Sequence, residues 1–131
     1  MSDKNFKVKN GLTIQGTTDT LITADNSGGV LVNGNPIQMT IVSVSSNITL
    51  EANKRYLVNT SAARTLTLPS SPANGDELQV IDSTGTAATN KITVASNSLK
   101  INGTVQDLEI DSNNAAAVLL YTGTTYGWRV S

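Results

Sequence analysis

Apolar and polar residues alternate along most of the chain, in short runs. A period of two recurs in Phe6-Lys7-Val8, Ile37-Gln38-Met39-Thr40-Ile41, Leu66-Thr67-Leu68, Ile92-Thr93-Val94 and Trp128-Arg129-Val130. Successive side chains of a β-strand point to opposite faces, so this pattern is typical of strands that are buried on one side. The β-branched residues Ile and Val outnumber Leu by 20 to 12, which also favours strands. We predict no helix.

Turn-forming residues separate these runs at regular intervals. Asn-Gly, which tolerates left-handed backbone angles and closes tight hairpins, occurs at 10–11, 33–34, 74–75 and 102–103. Short strands with such spacing are typical of all-β sandwiches and barrels. The predicted fold is therefore all-β, with an antiparallel β-sandwich or jelly-roll-like C-terminal domain and an extended N-terminal β-arm.

The first 40 residues differ from the rest of the chain. They hold half of the ten glycines and carry their apolar residues as isolated pairs, too few to close a core. We therefore predict an extended attachment and oligomerisation arm over residues 1–40 and a β-sandwich domain over residues 41–131. The arm residues expected to form an assembly interface are Lys4, Phe6, Val8, Leu12 and Ile14.

Composition excludes most catalytic and metal chemistry. The chain has no Cys and no His, so it offers no thiolate nucleophile, no imidazole base and no zinc site built from those ligands. Thr, Ser and Asn instead fill 45 of the 131 positions. We predict a protein that is not an enzyme, with no catalytic residue, metal site or cofactor.

Charge and hydropathy limit the kinds of binding partner that the sequence predicts. The nine basic and ten acidic residues are scattered, without the basic stripe expected of a nucleic-acid-binding protein. The apolar runs are far shorter than the roughly 20 residues that cross a bilayer. The N-terminus also lacks the apolar segment of a signal peptide. We therefore predict no nucleic acid, no membrane insertion and synthesis in a cytoplasm.

Three carboxylates alternate with apolar residues in the run Asp107-Leu108-Glu109-Ile110-Asp111. A strand there places all three on one face, where a hard cation such as Ca²⁺ finds the oxygen ligands it prefers. The alternative is a solvated outer face that discourages edge pairing. We favour the solvated face, because no glycine-bearing calcium loop surrounds the run.

Aromatic residues cluster near the C-terminus, where Tyr121 precedes Tyr126-Gly127-Trp128. Exposed aromatic rings stack on sugars or anchor interfaces, so Tyr126 and Trp128 are candidate ligand or host contacts. The alternative places Trp128 and Val130 in the core of a closing strand. The period of two favours this second interpretation.

Two groups of motifs resemble bacteriophage proteins. The opening Asp3-Lys4-Asn5-Phe6-Lys7-Val8-Lys9-Asn10-Gly11-Leu12-Thr13-Ile14 and the later Val32-Asn33-Gly34-Asn35-Pro36 resemble the start of tail-fibre and other virion structural proteins of tailed phages, especially those infecting cyanobacteria. Further motifs resemble a β-rich module at the ends of phage fibres: Arg55-Tyr56-Leu57-Val58-Asn59-Thr60, Thr65-Leu66-Thr67-Leu68-Pro69, Pro72-Ala73-Asn74-Gly75-Asp76 and Gly127-Trp128-Arg129-Val130.

The resemblance implies a homotrimeric virion component that is assembled in the host cytoplasm. Its N-terminal segment would attach to major capsid or tail proteins, and its β-domain would point outward. A 40-residue arm reaches only on the order of 100 Å, so a capsid-decoration (cement) protein or a short fibre or knob fits better than a long fibre. The alternative function is a receptor- or carbohydrate-binding tail-fibre tip, with a host-surface glycan at Tyr126 and Trp128.

Overall fold

The computed structural model describes all of residues 39–131 and, before them, the backbone of four strands between residues 14 and 36. The chain divides into two units, 1–38 and 39–131, and each is described by itself. Four residues of the predicted arm interface lie outside the described residues: Lys4, Phe6, Val8 and Leu12. Ile14 begins the first described strand.

In the first unit, four short strands form one antiparallel sheet. They are β1 (Ile14–Gln15), β2 (Thr20–Ala24), β3 (Val30–Val32) and β4 (Asn35–Pro36). Each strand pairs with the next one along the chain, in the order β1-β2-β3-β4, with Ile22 opposite Val32.

The second unit contains eleven strands in two sheets. They are β5 (Thr40–Val44), β6 (Ile48–Thr49), β7 (Lys54–Val58), β8 (Arg64–Thr67), β9 (Glu77–Asp82), β10 (Ile92–Ala95), β11 (Lys100–Ile101), β12 (Thr104–Val105), β13 (Leu108–Ile110), β14 (Ala116–Tyr121) and β15 (Trp128–Val130). The large sheet has the order β12-β11-β15-β14-β9-β7-β5, and the small sheet has the order β13-β10-β8-β6.

From β5 to β10 the chain winds back and forth between the two sheets, a path that we call the coil. Successive strands alternate between the large sheet and the small sheet, and each lies parallel to the strand two places earlier. Tyr56 of β7 is thus flanked by Val42 and Val80. The later strands close the unit with antiparallel pairs, among them β11 with β12 and β14 with β15.

The all-β prediction is confirmed, and residues 39–131 contain no helix. The sheets are mixed, however, whereas the expected sandwich was antiparallel. The reason is the coil: neighbours within one sheet are separated by a strand in the other sheet, so the chain returns in the same direction. No helix capable of spanning a membrane occurs among the described residues.

The core lies between the two sheets and follows the alternation of the sequence. In β9, Leu78 and Val80 point inward and are fully buried, while Gln79 and Ile81 on the other face are half-buried. The large side chains that are essentially inaccessible to solvent are Leu50, Tyr56, Val58, Leu66, Leu68, Leu78, Val80, Ile92, Val94, Ile101, Leu119 and Trp128. Burial of each contributes roughly 1.5–3 kcal/mol.

A buried carboxylate organises the connection from β9 to β10. Asp82 is 4% exposed and accepts a hydrogen bond from the Thr60 hydroxyl at 2.7 Å. It also accepts backbone N–H bonds from Gly85 at 2.9 Å and from Ala87 and Asn114 at 3.0 Å. The carboxylate therefore joins three separate segments of the chain.

Candidate assembly surface

The outer face of the small sheet is polar. Four threonines, Thr49, Thr65, Thr67 and Thr93, alternate with buried or half-buried residues of β6, β8 and β10 and so point outward. Beside them an exposed ion pair joins Lys91 Nζ to Glu109 Oε1 at 2.6 Å. A shallow groove of about 290 Å³ crosses this face and is lined by Asn47, Ile48, Thr49, Thr65 and Thr67. This is an ordinary solvent-facing sheet surface.

The outer face of the large sheet carries apolar side chains among polar and charged ones. Because Tyr56, Val80 and Leu119 point inward, the residues next to them in β7, β9 and β14 point outward. We call the apolar side chains on this side of the sheet the apolar outer face: Ile41, Leu57, Ile81, Val118 and Leu120. Two of these side chains, Ile41 and Leu120, are exposed by 61% and 39%, and the other three are half-buried.

The register makes one direct apolar pair across the strands, since Leu57 lies opposite Ile81. On the adjacent strand β14, Val118 lies opposite Gln79 and Leu120 lies opposite Glu77. This face was not predicted from the sequence. A signal was present, because the adjacent apolar residues Leu57-Val58, Val80-Ile81 and Val118-Leu119-Leu120 break the alternation and indicate strands that are apolar on both sides.

Tyr126 occupies an exposed corner beside this face. Its side chain is 56% exposed, and the Arg129 guanidinium lies 5.4 Å from the centroid of its ring, within the range of a cation-π contact. The Lys100 Nζ donates to the Thr125 carbonyl at 3.2 Å. Tyr126 can therefore offer aromatic area to a sugar or to a protein.

Trp128 belongs to the core, which corrects its assignment as a candidate ligand contact. It is 0% exposed, and its ring lies 5.3 Å from that of Tyr121. The cause is the register of β14 with β15, which places Trp128 opposite Tyr121 on the inner face. The indole Nε1 has no hydrogen-bond partner in the described structure. Of the two aromatic candidates, only Tyr126 is accessible.

The carboxylate run of β13 is used within the fold. Asp107 accepts a hydrogen bond from the Ser96 N–H at 2.8 Å, and Glu109 pairs with Lys91, while Asp111 is exposed. Within the part of the chain that the structure describes, no three His, Cys, Asp or Glu side chains are arranged to bind a metal.

The exposed apolar area of the second unit is concentrated on one side. Its four large exposed apolar residues are Ile41, Val105, Leu120 and Tyr126. Three belong to strands of the large sheet, and Tyr126 lies in the turn before β15. These side chains are spread across the sheet, with Ile41 and Val105 on its two opposite edge strands.

No protein-family model matches the chain, and no curated protein matches it.

Proposed function

We propose that this chain is a non-enzymatic structural protein of a tailed-phage virion, a homotrimeric capsid-decoration protein or short fibre knob. The observation that carries the proposal is the contrast between the two sheets. The small sheet presents threonines to solvent, whereas the large sheet presents the apolar outer face.

The contrast supports assembly through the large sheet. Arginines are enriched in protein interfaces, where they lie near apolar side chains. The apolar outer face has Arg55 beside Ile41 and Arg129 beside Leu120, and both arginines are exposed. Covering the face removes Ile41 and Leu120 from water, while the threonine face of the small sheet stays hydrated.

The virion assignment is supported by the motifs of residues 3–14 and of the second half of the chain, which resemble phage fibre proteins. In this proposal the N-terminal segment binds major capsid or tail proteins, and residues 39–131 form the exposed domain. A glycan-binding fibre tip is the alternative, and within the described residues it now depends on Tyr126 alone, because Trp128 is buried.

Particle labelling tests this proposal. We expect an antibody raised against residues 39–131 to decorate intact phage particles in negative-stain micrographs. Quantitative mass spectrometry of the same particles should give a copy number that is a multiple of three. The control is antibody first absorbed with the purified chain. Recovery of the chain only from the soluble fraction of the lysate, with unlabelled particles, would contradict a virion role.

A further inference from the structure

Among the described strands, the large sheet ends in β5 on one side and in β12 on the other, and neither has a second neighbour there. The two most exposed large apolar side chains among the described residues lie on these strands, one on each. Ile41 of β5 is 61% exposed and Val105 of β12 is 58% exposed. A sheet edge also carries backbone N–H and C=O groups that can pair with another strand.

At β5, the outward backbone groups belong to Ile41 and Ser43. The Val44 carbonyl accepts from the Asn59 N–H at 2.8 Å, so Val44 faces β7. In a parallel pair, alternate residues direct their N–H and C=O to opposite sides. Val42 therefore faces β7 as well, whereas Ile41 and Ser43 direct their polar groups away from the sheet.

At β12, the outward groups belong to Val105. The Asn102-Gly103 turn has φ values of 53° and 90°, as in a two-residue hairpin whose flanking residues, Ile101 and Thr104, exchange the closing hydrogen bonds. The next pair, Lys100 with Val105, is then a pair without hydrogen bonds. Val105 thus directs its N–H and C=O away from β11, toward solvent.

Neither edge is blocked by charge or by proline, although β12 is only two residues long. Natural edge strands are commonly blocked by charged residues or proline. No charged residue occurs between Asn26 and Leu50, or between Asn102 and Gln106, and neither β5 nor β12 contains proline. Two such edges can pair without burying a charged side chain. This favours an uncharged strand as the pairing partner of each edge.

The two edges also match in direction and in side-chain placement. Strands β5, β7 and β9 are parallel, and the later pairings reverse the direction so that β12 runs opposite to β5. The edges of two copies therefore meet as an antiparallel pair when the sheet continues from one copy to the next. Ile41 lies on the outer face because its neighbour Val42 points inward. Val105 lies on the same face because it is opposite Lys100, whose neighbour Ile101 points inward.

We propose that β5 of one copy pairs with β12 of a second copy, with Ile41 opposite Val105 of the next copy. Such a head-to-tail contact uses each edge once per copy, and it forms the proposed trimer when the rotation between copies closes a ring. The inference takes self-association from the proposed function and names the surfaces that produce it. In a trimer, the contact occurs three times.

Two edge variants and their mixture test the inference. Ile41→Lys blocks only β5, and Val105→Lys blocks only β12. Both side chains are exposed, so circular dichroism should match the parent chain. We expect each variant alone to sediment with the mass of a single chain. An equimolar mixture retains one intact β5 and one intact β12, and should sediment with the mass of two chains. Thr49→Lys, on the small sheet, is the matched control and should assemble like the parent.

The outcomes separate the alternatives. A mixture that stays at the mass of one chain overturns the inference. So does a Val105→Lys variant that assembles normally while Ile41→Lys does not, because that result would indicate that β5 pairs with itself. An assembling parent that both substitutions leave unchanged overturns the inference while sparing the proposed function. A parent that never assembles overturns both.

A second pair of variants covers the case in which a lysine disturbs the fold. Ile41→Pro and Val105→Pro remove the outward N–H, and because neither N–H bonds within the sheet, proline is tolerated at such edge positions. We expect an equimolar mixture of these two variants to form the same two-chain complex. If no two-chain complex forms with this pair as well, the inference is overturned.

Discussion

Replacing Gly127 by alanine is expected to lower the free energy of unfolding by about 4 kcal/mol. Gly127 precedes β15 with a φ of +71°, a left-handed conformation that L-residues adopt at a cost of about 1–2 kcal/mol. A Cβ at this position would also collide with the Lys100 carbonyl oxygen and lie 2.7 Å from its carbon. Because that carbonyl belongs to the backbone of the adjacent strand, β11 or the turn must move.

Gly75→Ala is the matched control for this prediction. Gly75 has a φ of +93°, but no atom lies within 4 Å of the added Cβ, so only the backbone strain of about 1–2 kcal/mol applies. Urea denaturation followed by circular dichroism measures both variants. Equal losses at the two positions would contradict the packing of β11 against the turn before β15.

Replacing Asp82 by asparagine is expected to cost about 3 kcal/mol at pH 7. The carboxylate accepts bonds from Thr60, Ala87 and Asn114, among others. The asparagine amide keeps one acceptor oxygen, but an NH₂ group replaces the other. The N–H donors that face this NH₂ group lose their hydrogen-bond acceptor. Asp111→Asn, at an exposed position, is the control and should change stability by less than about 0.5 kcal/mol. Urea denaturation again provides the measurement.

The same residue predicts a dependence of stability on pH. Burial alone would raise the pKa of Asp82, but hydrogen bonds from the Thr60 hydroxyl and from the Ala87, Asn114 and Gly85 N–H groups outweigh it and hold the pKa well below its ordinary value. The folded state therefore binds this proton less readily than the unfolded chain does. The stabilisation is complete above the ordinary Asp pKa of about 3.9 and declines as the pH falls below it.

Unfolding measured from pH 7 down to pH 3 tests this linkage. The parent chain should lose stability below about pH 4, and Asp82→Asn should lose less, because it has no proton to bind at that position. Parallel pH profiles for the two proteins would show that Asp82 does not contribute to the acid sensitivity.

The sequence predicted the strand class and much of the core because local alternation decides both. The period of two in Leu66-Thr67-Leu68 placed Leu66 and Leu68 inside, and the same pattern favoured a buried Trp128. The Asn102-Gly103 turn likewise has the expected left-handed backbone. These features depend on residues that are close together in the chain.

Strand direction and the assembly surface could not be predicted in the same way. A period of two is identical in parallel and antiparallel strands, so the run from Ile92 to Val94 gave no sign that β10 lies parallel to β8. The hydrogen bonds of Asp82 also depend on distant residues, since Thr60 and Asn114 reach it from 22 and 32 residues away. The outward position of Leu57 similarly depends on the coil that brings β7 beside β9.

Sedimentation equilibrium of the full chain tests the central claim, self-assembly into a trimer, most directly. The account predicts a single species of three times the 13.7 kDa chain mass at micromolar concentration. A mass of one chain that persists as the concentration is raised would contradict it.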